Sequence, residues 1–274
     1  AQTLSSSLTL APGTASTNIV FNGVGGGLQL SNATLTNFAG YTSMTVGSLT
    51  AGTLSVANNF TAPTNTNLTL LSGGAMTVGN ALAASGTGGI TLHSSTSISA
   101  AANITTAGGG ILIEGNVASW TPAYDVNAPV FGSTSGSFAG VSLAGGITLD
   151  AGGGDISIAG KGGDSGASQY GVQLAASSVI QTSGTGKITI AGTGGAPAGG
   201  NGHTGFEIGG SVLTTGTGTI KLTGVGGAAT GASNQSYGIN ILATGSVGGG
   251  GADVTLTGTG GSMSGSGNTN YGIQ

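Results

Sequence analysis

The feature that most constrains the fold is a repeat in the C-terminal half of the chain. Four ten-residue segments of nearly the same sequence begin at Gly154, Gly186, Gly218 and Ala252, at spacings of 32, 32 and 34 residues. In the second copy, GKITIAGTGG, apolar residues alternate with polar ones before a run of glycines. Because successive side chains of a β-strand point to opposite faces, this period of two predicts a short strand with one buried face.

Two further sets of equivalent residues recur with nearly the same period as this repeat. A glycine that follows an aromatic or hydroxyl residue recurs at spacings of 34, 33 and 34 residues, and a valine recurs in SSVIQTSG, GSVLTTG and GSVGGG. Each unit therefore holds three short apolar segments separated by glycine-rich corners. Equivalent segments that follow one another in the same sense must run parallel, at a spacing of ~4.8 Å when stacked. The sequence predicts an all-β fold, a right-handed parallel β-helix (β-solenoid) with three short strands per coil.

The predicted stacking also predicts which side chains lie above one another in successive coils. Two aliphatic ladders are expected in the core, where each buried side chain contributes ~1.5–3 kcal/mol. The first ladder comprises Ile156, Ile188, Ile220 and Val254, and the second comprises Ile158, Ile190, Leu222 and Leu256. A column of Tyr170, Tyr237 and Tyr271, interrupted by Thr204, favours a ladder of packed rings, with sugar binding as the alternative.

The N-terminal half repeats with a shorter period. Its leading strands start at Leu68 and then 22 and 21 residues later. We therefore expect short coils of ~21 residues over residues 1–118 and coils of ~33 residues over residues 141–274, in one continuous solenoid. Residues 119–140 break the alternation and are interpreted as an irregular insertion loop packed on one face.

This insertion loop is where the sequence favours a ligand or partner site. It contains the only Trp and four of the twelve aromatic residues of the chain. Aromatic rings of this kind can stack on a sugar or pack against a protein receptor, so the candidate partner of the loop is a glycan or a surface receptor. The candidate contact residues are Trp120, Tyr124, Asp125 and Phe131.

The composition excludes several classes of protein. Of 274 residues, 60 are Gly and only ten are charged: three Lys and seven acidic residues, with a net charge of -4. A nucleic-acid partner is not expected, because Lys and Arg supply most of the affinity for phosphate. No apolar run approaches the roughly 18 residues that a membrane-spanning helix needs. The chain has no Cys, so its stability must come from packing and hydrogen bonds.

The ionisable residues do not predict catalysis or metal binding. Asp150, Asp155 and Asp164 form the best acidic cluster and are interpreted as solvated corners, because the calcium-binding nonapeptide pattern is not met. General acid–base chemistry would need paired carboxylates on one face. His93 and His203 have no companions at metal-ligand spacing. We expect no catalytic residue, no metal and no cofactor.

One pair of opposite charges follows from the register. Asp155 and Lys187 occupy the position just before the first strand in successive units. In a stack they become cross-strand neighbours, which favours an exposed ion pair worth at most about 1 kcal/mol. Such a pair is evidence for the register rather than for a function.

Several of these segments resemble a known family. NLTLLSGGAMTVG (67–79) and GGITLHSSTSIS (88–99) resemble the repeats of filamentous-haemagglutinin-type adhesins and autotransporter passengers. The longer units, GKITIAGTGG followed by YGI, are similar to repeats of very large bacterial cell-surface proteins. The resemblance covers most of residues 67–274 and implies a secreted, elongated surface protein without catalytic activity. The Asn-Pro-Asn-Gly motif of the two-partner secretion domain does not occur in the sequence.

The expected function is therefore structural and extracellular, at a cell surface. The rigid solenoid would serve as an adhesin stalk or passenger, or as a filament subunit that stacks end to end. The expected partner at its ends is either a second copy or further coils of a longer chain. The alternative is a carbohydrate-binding or carbohydrate-cleaving β-helix that uses the loop around Trp120.

Overall fold

The fold is given by a computed structural model, which describes residues 6–38, 40–118, 129–196, 202–228, 235–262 and 269–274. These residues form a right-handed parallel β-helix with three short strands per coil, which confirms the fold class predicted from the alternation and the repeat. One short helix, α1 (Asn32–Thr36), accompanies the strands in the described ranges.

The strands are short, as the spacing of the glycine-rich corners requires. The strands before the insertion are β1 (Ser7–Leu10), β2 (Ile19–Phe21), β3 (Leu28–Leu30), β4 (Ser43–Ser48), β5 (Leu54–Val56), β6 (Phe60–Ala62), β7 (Asn67–Ser72), β8 (Met76–Val78), β9 (Leu82–Ala84), β10 (Ile90–Ser94), β11 (Ile98–Ala100), β12 (Ile104–Thr106) and β13 (Ile111–Gly115). Those after it are β14 (Val141–Leu143), β15 (Thr148–Asp150), β16 (Ile156–Lys161), β17 (Val172–Leu174), β18 (Val179–Thr182), β19 (Ile188–Thr193), β20 (Phe206–Ile208), β21 (Ser211–Thr214), β22 (Ile220–Val225), β23 (Ile239–Ile241), β24 (Ser246–Gly248) and β25 (Val254–Thr259).

These strands stack into three parallel sheets. The first sheet has nine strands in the order β1-β4-β7-β10-β13-β16-β19-β22-β25. The second has nine in the order β3-β2-β5-β8-β11-β14-β17-β20-β23, and the third has seven in the order β6-β9-β12-β15-β18-β21-β24. Each sheet runs across the insertion without a break, because β13 pairs with β16, β11 with β14 and β12 with β15.

The register gives the length of each coil. Leu68, Ile90 and Ile111 are paired in successive strands, so the coils there have 22 and 21 residues, as predicted. The two coils before Leu68 are longer, at 36 and 24 residues. The first of them is the longer of the two because it also holds β3 and α1. The coil that carries the insertion has 45 residues. The coils after it have 32, 32 and 34 residues.

One apolar core fills the interior of the solenoid from Ile19 to Ile239. The register stacks the two aliphatic ladders as predicted, and their members in β16, β19 and β22 are fully buried. Val254 and Leu256 continue the ladders but are partly exposed, because β25 is the edge strand of the first sheet. Near the other end, the rings of Phe21 and Phe60 pack edge to face, with centroids 4.9 Å apart.

Two columns of glycine meet at one corner of the long coils. A Cβ atom on Gly192 would overlap the carbonyl oxygen of Gly205, and one on Gly224 would overlap that of Gly238. Close approach of two backbones therefore requires glycine here. Positive φ is the reason at other corners, such as Gly184 with φ 59°.

Polar side chains join successive coils at the corners. Asn67 Oδ1 accepts a hydrogen bond from the backbone N–H of Gly89 (2.8 Å), and Asn103 Oδ1 accepts one from Thr148 (2.8 Å). Each bond satisfies a backbone donor that the corner removes from the sheet ladder. The amide side chains thus hold the coils in register without adding charge.

Candidate functional site

The described part of the insertion, residues 129–140, includes Phe131, which packs on the outer surface of the first sheet. Val117 and Phe131 form an antiparallel bridge, and both contact a small apolar cluster with Ala159 and Ala191. These two alanines point away from the core, yet they are buried because the loop covers them. The part of the insertion described by the structure therefore creates a second buried layer outside the solenoid.

A buried pair of ionisable residues lies on the same outer face. The register pairs His93 of β10 with Glu114 of β13, and Nδ1 of His93 lies 2.8 Å from Oε2 of Glu114. Both side chains are fully buried. Their neighbours in the same column are Leu71 before them and Ala159 after them.

This pair is only half satisfied. Nε2 of His93 and Oε1 of Glu114 are buried and have no hydrogen-bond partner among the residues that the structure describes. A buried polar atom without a partner costs about 1–3 kcal/mol, and more when the group is charged. In a chain with ten charged residues, a buried histidine and carboxylate are therefore a costly feature.

The pairing of His93 with Glu114 was not predicted from the sequence, in which His93 has no companion at metal-ligand spacing. The signal was present, because the two residues occupy the same position in strands that start at Ile90 and Ile111. Stacking places such residues in contact although 21 residues separate them in the chain. His203, the second histidine, is also fully buried, and its carbonyl oxygen accepts the N–H of Gly227 (2.7 Å).

The predicted acidic residues are each engaged separately. Asp150 accepts bonds from Gly152 N–H (2.7 Å) and Gln181 Nε2 (2.6 Å). Asp164 accepts from Gly136 N–H and Ser135 Oγ, both at 2.8 Å. Among the described residues, no group of three His, Cys, Asp or Glu side chains is placed to hold a metal ion.

The predicted contact of Asp155 with Lys187 takes a different form. The two residues are neighbours in successive coils, but Oδ1 of Asp155 accepts the backbone N–H of Lys187 at 2.8 Å. The prediction of a side-chain ion pair is wrong for this pair. The carboxylate acts as the amides of Asn67 and Asn103 do at other corners, because a fixed backbone donor lies closer than the flexible ammonium group.

Of the four candidate contacts in the insertion, Phe131 is described, and it packs on the apolar cluster with Val117. Trp120, Tyr124 and Asp125 lie outside the described residues. The structure therefore assigns Phe131 a packing role.

A groove of about 470 Å³ lies on the outer face of the second sheet. Its floor is formed by outward side chains of successive strands, among them Ser99, Ser142 and Gln173. Two stacked loops, which precede the neighbouring strands β14 and β17, form its wall and contribute the half-buried rings of Phe138 and Tyr170. The lining combines hydroxyl and amide groups with two aromatic faces.

Buried Gln169 holds the two loops of this wall together. Its Oε1 accepts the N–H of Phe138 (2.9 Å), while its Nε2 donates to Ser137 Oγ (3.1 Å) and to the carbonyl oxygen of Ala167 (2.6 Å). The side chain is 1% exposed. Because Asp164 also bonds Gly136, the wall that carries Phe138 is fixed at two points.

Glu207 lies beside the groove and acts on Tyr170. Gln173 Nε2 donates to Glu207 Oε1 (3.1 Å), which continues the polar column along the second sheet. Burial, together with the negative charge of Glu207, raises the pKa of the Tyr170 phenol above its ordinary value of 10.0. The phenol is therefore neutral near pH 7 and remains a hydrogen-bond donor.

The tyrosine column is divided. Tyr237 and Tyr271 stack with ring centroids 6.0 Å apart and planes 4° from parallel. Buried Thr204 lies between Tyr170 and this stack, so Tyr170 is free to serve as a wall of the groove. The column thus contains one packed pair and one ring with a different environment.

Comparisons with known protein families, curated proteins and solved structures give no match for this chain. Within the described ranges, no helix is long and apolar enough to cross a membrane.

Proposed function

We propose that this chain is a non-enzymatic, extracellular structural protein in which a rigid β-solenoid serves as an adhesin stalk or passenger, or as a filament subunit. The observation that carries the proposal is the uninterrupted stacking of three parallel sheets around one apolar core. Nine strands at ~4.8 Å give the first sheet a length of about 40 Å along the axis. Such a rod has the geometry of a spacer.

The low charge of the chain also supports a structural role. Each outward column repeats along the solenoid axis, so like charges in one column would repel one another at every coil. Hydroxyl and amide columns avoid this repulsion and form bonds between coils, as Asn67 and Asn103 do. A surface of this kind suits a long stack of coils.

The last described coil supports association along the axis. Val254 is 41% exposed, whereas Ile188 and Ile220 at the same position of earlier coils are fully buried. Edge strand β25 therefore presents apolar side chains and backbone groups that another coil would cover. That coil would belong either to the same polypeptide or to a second copy.

Electron microscopy with static light scattering tests this proposal. We expect straight rods whose length matches the stacked coils, and fibres with a subunit repeat if second copies cover β25. Val254→Lys adds a charge to this edge and should shorten or abolish fibres, while Val24→Lys, at a site 85% exposed elsewhere, should not. Compact particles without an elongated axis would contradict the structural role.

A further inference from the structure

We propose that the groove between Phe138, Tyr170 and Gln173 binds an uncharged oligosaccharide that lies along the solenoid axis. This goes beyond the structural function, because it assigns a ligand to one face of the rod. The groove has a volume of about 470 Å³, within the range of small-molecule sites. This groove is distinct from the insertion residues around Trp120, where the aromatic residues of the sequence predict a sugar site.

The chemistry of the lining selects the class of ligand. Among the described residues that line the groove there is no Lys, Arg or His, so these residues offer no cationic group for a phosphate, a sulfate or a uronic acid. Its polar groups are hydroxyls and amides, which form hydrogen bonds with sugar hydroxyls. The faces of Phe138 and Tyr170 are suited to pack against the C–H face of a sugar ring. A neutral glycan satisfies both features.

The direction of the ligand follows from the register. Ser99, Ser142 and Gln173 are paired in β11, β14 and β17, and Glu207 of β20 continues the same column. Polar side chains therefore recur every ~4.8 Å along the axis. A chain molecule with hydroxyls at regular intervals can bond to several coils at once, which a single sugar cannot.

The groove is also rigid before any ligand binds. Gln169 forms hydrogen bonds with both wall loops, and Asp164 anchors the loop that precedes Phe138. A preorganised site loses less conformational entropy on binding, so a shallow polar groove can still bind. Glycosidic hydrolysis requires two carboxylates that flank the bond, whereas the described residues that line this groove include no Asp or Glu. The geometry therefore favours binding without cleavage.

Affinity electrophoresis of the full chain tests the proposal. The gels would contain a soluble β-glucan, mannan, galactan or xylan, with polygalacturonate as the acidic comparison. We expect at least one neutral polysaccharide to retard the protein, and Tyr170→Ala to weaken this binding by roughly tenfold. Gln173→Ala should weaken it as well without removing a ring. Tyr271→Ala, at an exposed tyrosine outside the groove, is the matched control and should bind normally.

Circular dichroism would establish that each variant is folded. Retention of full binding by folded Tyr170→Ala and Gln173→Ala would overturn the proposal, as would an equal loss of binding in Tyr271→Ala. Retardation by polygalacturonate alone, or by none of the five polysaccharides, would also overturn it. The formation of rods seen by electron microscopy does not depend on the groove. Failure of polysaccharide binding would therefore not contradict the structural function.

Discussion

The imidazole of His93 and the carboxylate of Glu114 form a hydrogen bond of 2.8 Å between Nδ1 and Oε2, and both side chains are fully buried on the outer face of the first sheet. Residues 21 positions apart in sequence thus become direct neighbours because one coil separates them. The pair sits between Leu71 and Ala159, in a column that is otherwise apolar at these coils.

Breaking this pair should destabilise the solenoid. His93→Leu leaves the Glu114 carboxylate buried without its partner, and the expected loss is about 3–5 kcal/mol. The double variant His93→Leu with Glu114→Met replaces both groups by apolar ones and should be neutral or more stable by about 1–4 kcal/mol. Urea unfolding followed by far-UV circular dichroism measures both. An unchanged midpoint in His93→Leu would contradict a buried, coupled pair.

The glycine columns predict a sharp difference between two Gly→Ala substitutions. A methyl group at Gly192 overlaps the carbonyl oxygen of Gly205, so Gly192→Ala forces a backbone shift and should cost at least about 1–3 kcal/mol. Gly153 has open space around it and no positive φ, so Gly153→Ala should be neutral or stabilise by ~0.4–1 kcal/mol. Thermal unfolding compares the two variants. Equal midpoints would exclude close backbone approach as the reason why glycine recurs at this position in successive coils.

The wall of the groove should loosen in acid. Hydrogen bonds from Gly136 N–H and Ser135 Oγ hold the pKa of Asp164 below its ordinary value of 3.8. A lowered folded-state pKa contributes stability above the unfolded value, and this contribution is lost as the pH falls through the folded-state pKa. The protection factor of the Gly136 amide, which compares its exchange rate with the intrinsic rate at the same pH, should therefore fall below pH 3.8. Asp164→Asn should remove this pH dependence; a wild-type profile in that variant would contradict the assignment.

The phenol of Tyr170 should titrate above its ordinary range. Burial is the main cause and Glu207 the second, so Glu207→Gln should lower the pKa of Tyr170 but leave it above 10.0. NMR titration of the tyrosine ring signals, with Tyr170→Phe to identify the resonance, measures both values. A pKa that falls to 10.0 in Glu207→Gln would show that charge, rather than burial, controls this group.

The alternation of apolar and polar residues was sufficient to predict the architecture, because a strand with one buried face has a hydrophobic period of two. The ladder of Ile156, Ile188 and Ile220 follows directly from the 32-residue spacing. The pairing of His93 with Glu114 could have been found by the same alignment, since both follow the start of their strands by three residues.

The groove could not be predicted in this way. Its floor follows from the register, but its walls are loops of irregular sequence whose path depends on Gln169 and Asp164. Such contacts join residues about 30 positions apart in segments without periodicity. The same limit applies to Asp155, for which sequence indicates a charged neighbour but does not reveal that a backbone N–H is the closer donor.

The sequence by itself determined the three-stranded coil, the parallel stacking and the composition of the core, because these depend on alternation and spacing that repeat from coil to coil. Only the tertiary structure decided what happens where the repeat stops. Val117 and Phe131 bury Ala159 and Ala191 on a face that the alternation leaves exposed, and two stacked loops line the groove beside Tyr170. The physical reason is that periodic segments have one low-energy register, whereas a loop takes its path from individual long-range hydrogen bonds and packing contacts.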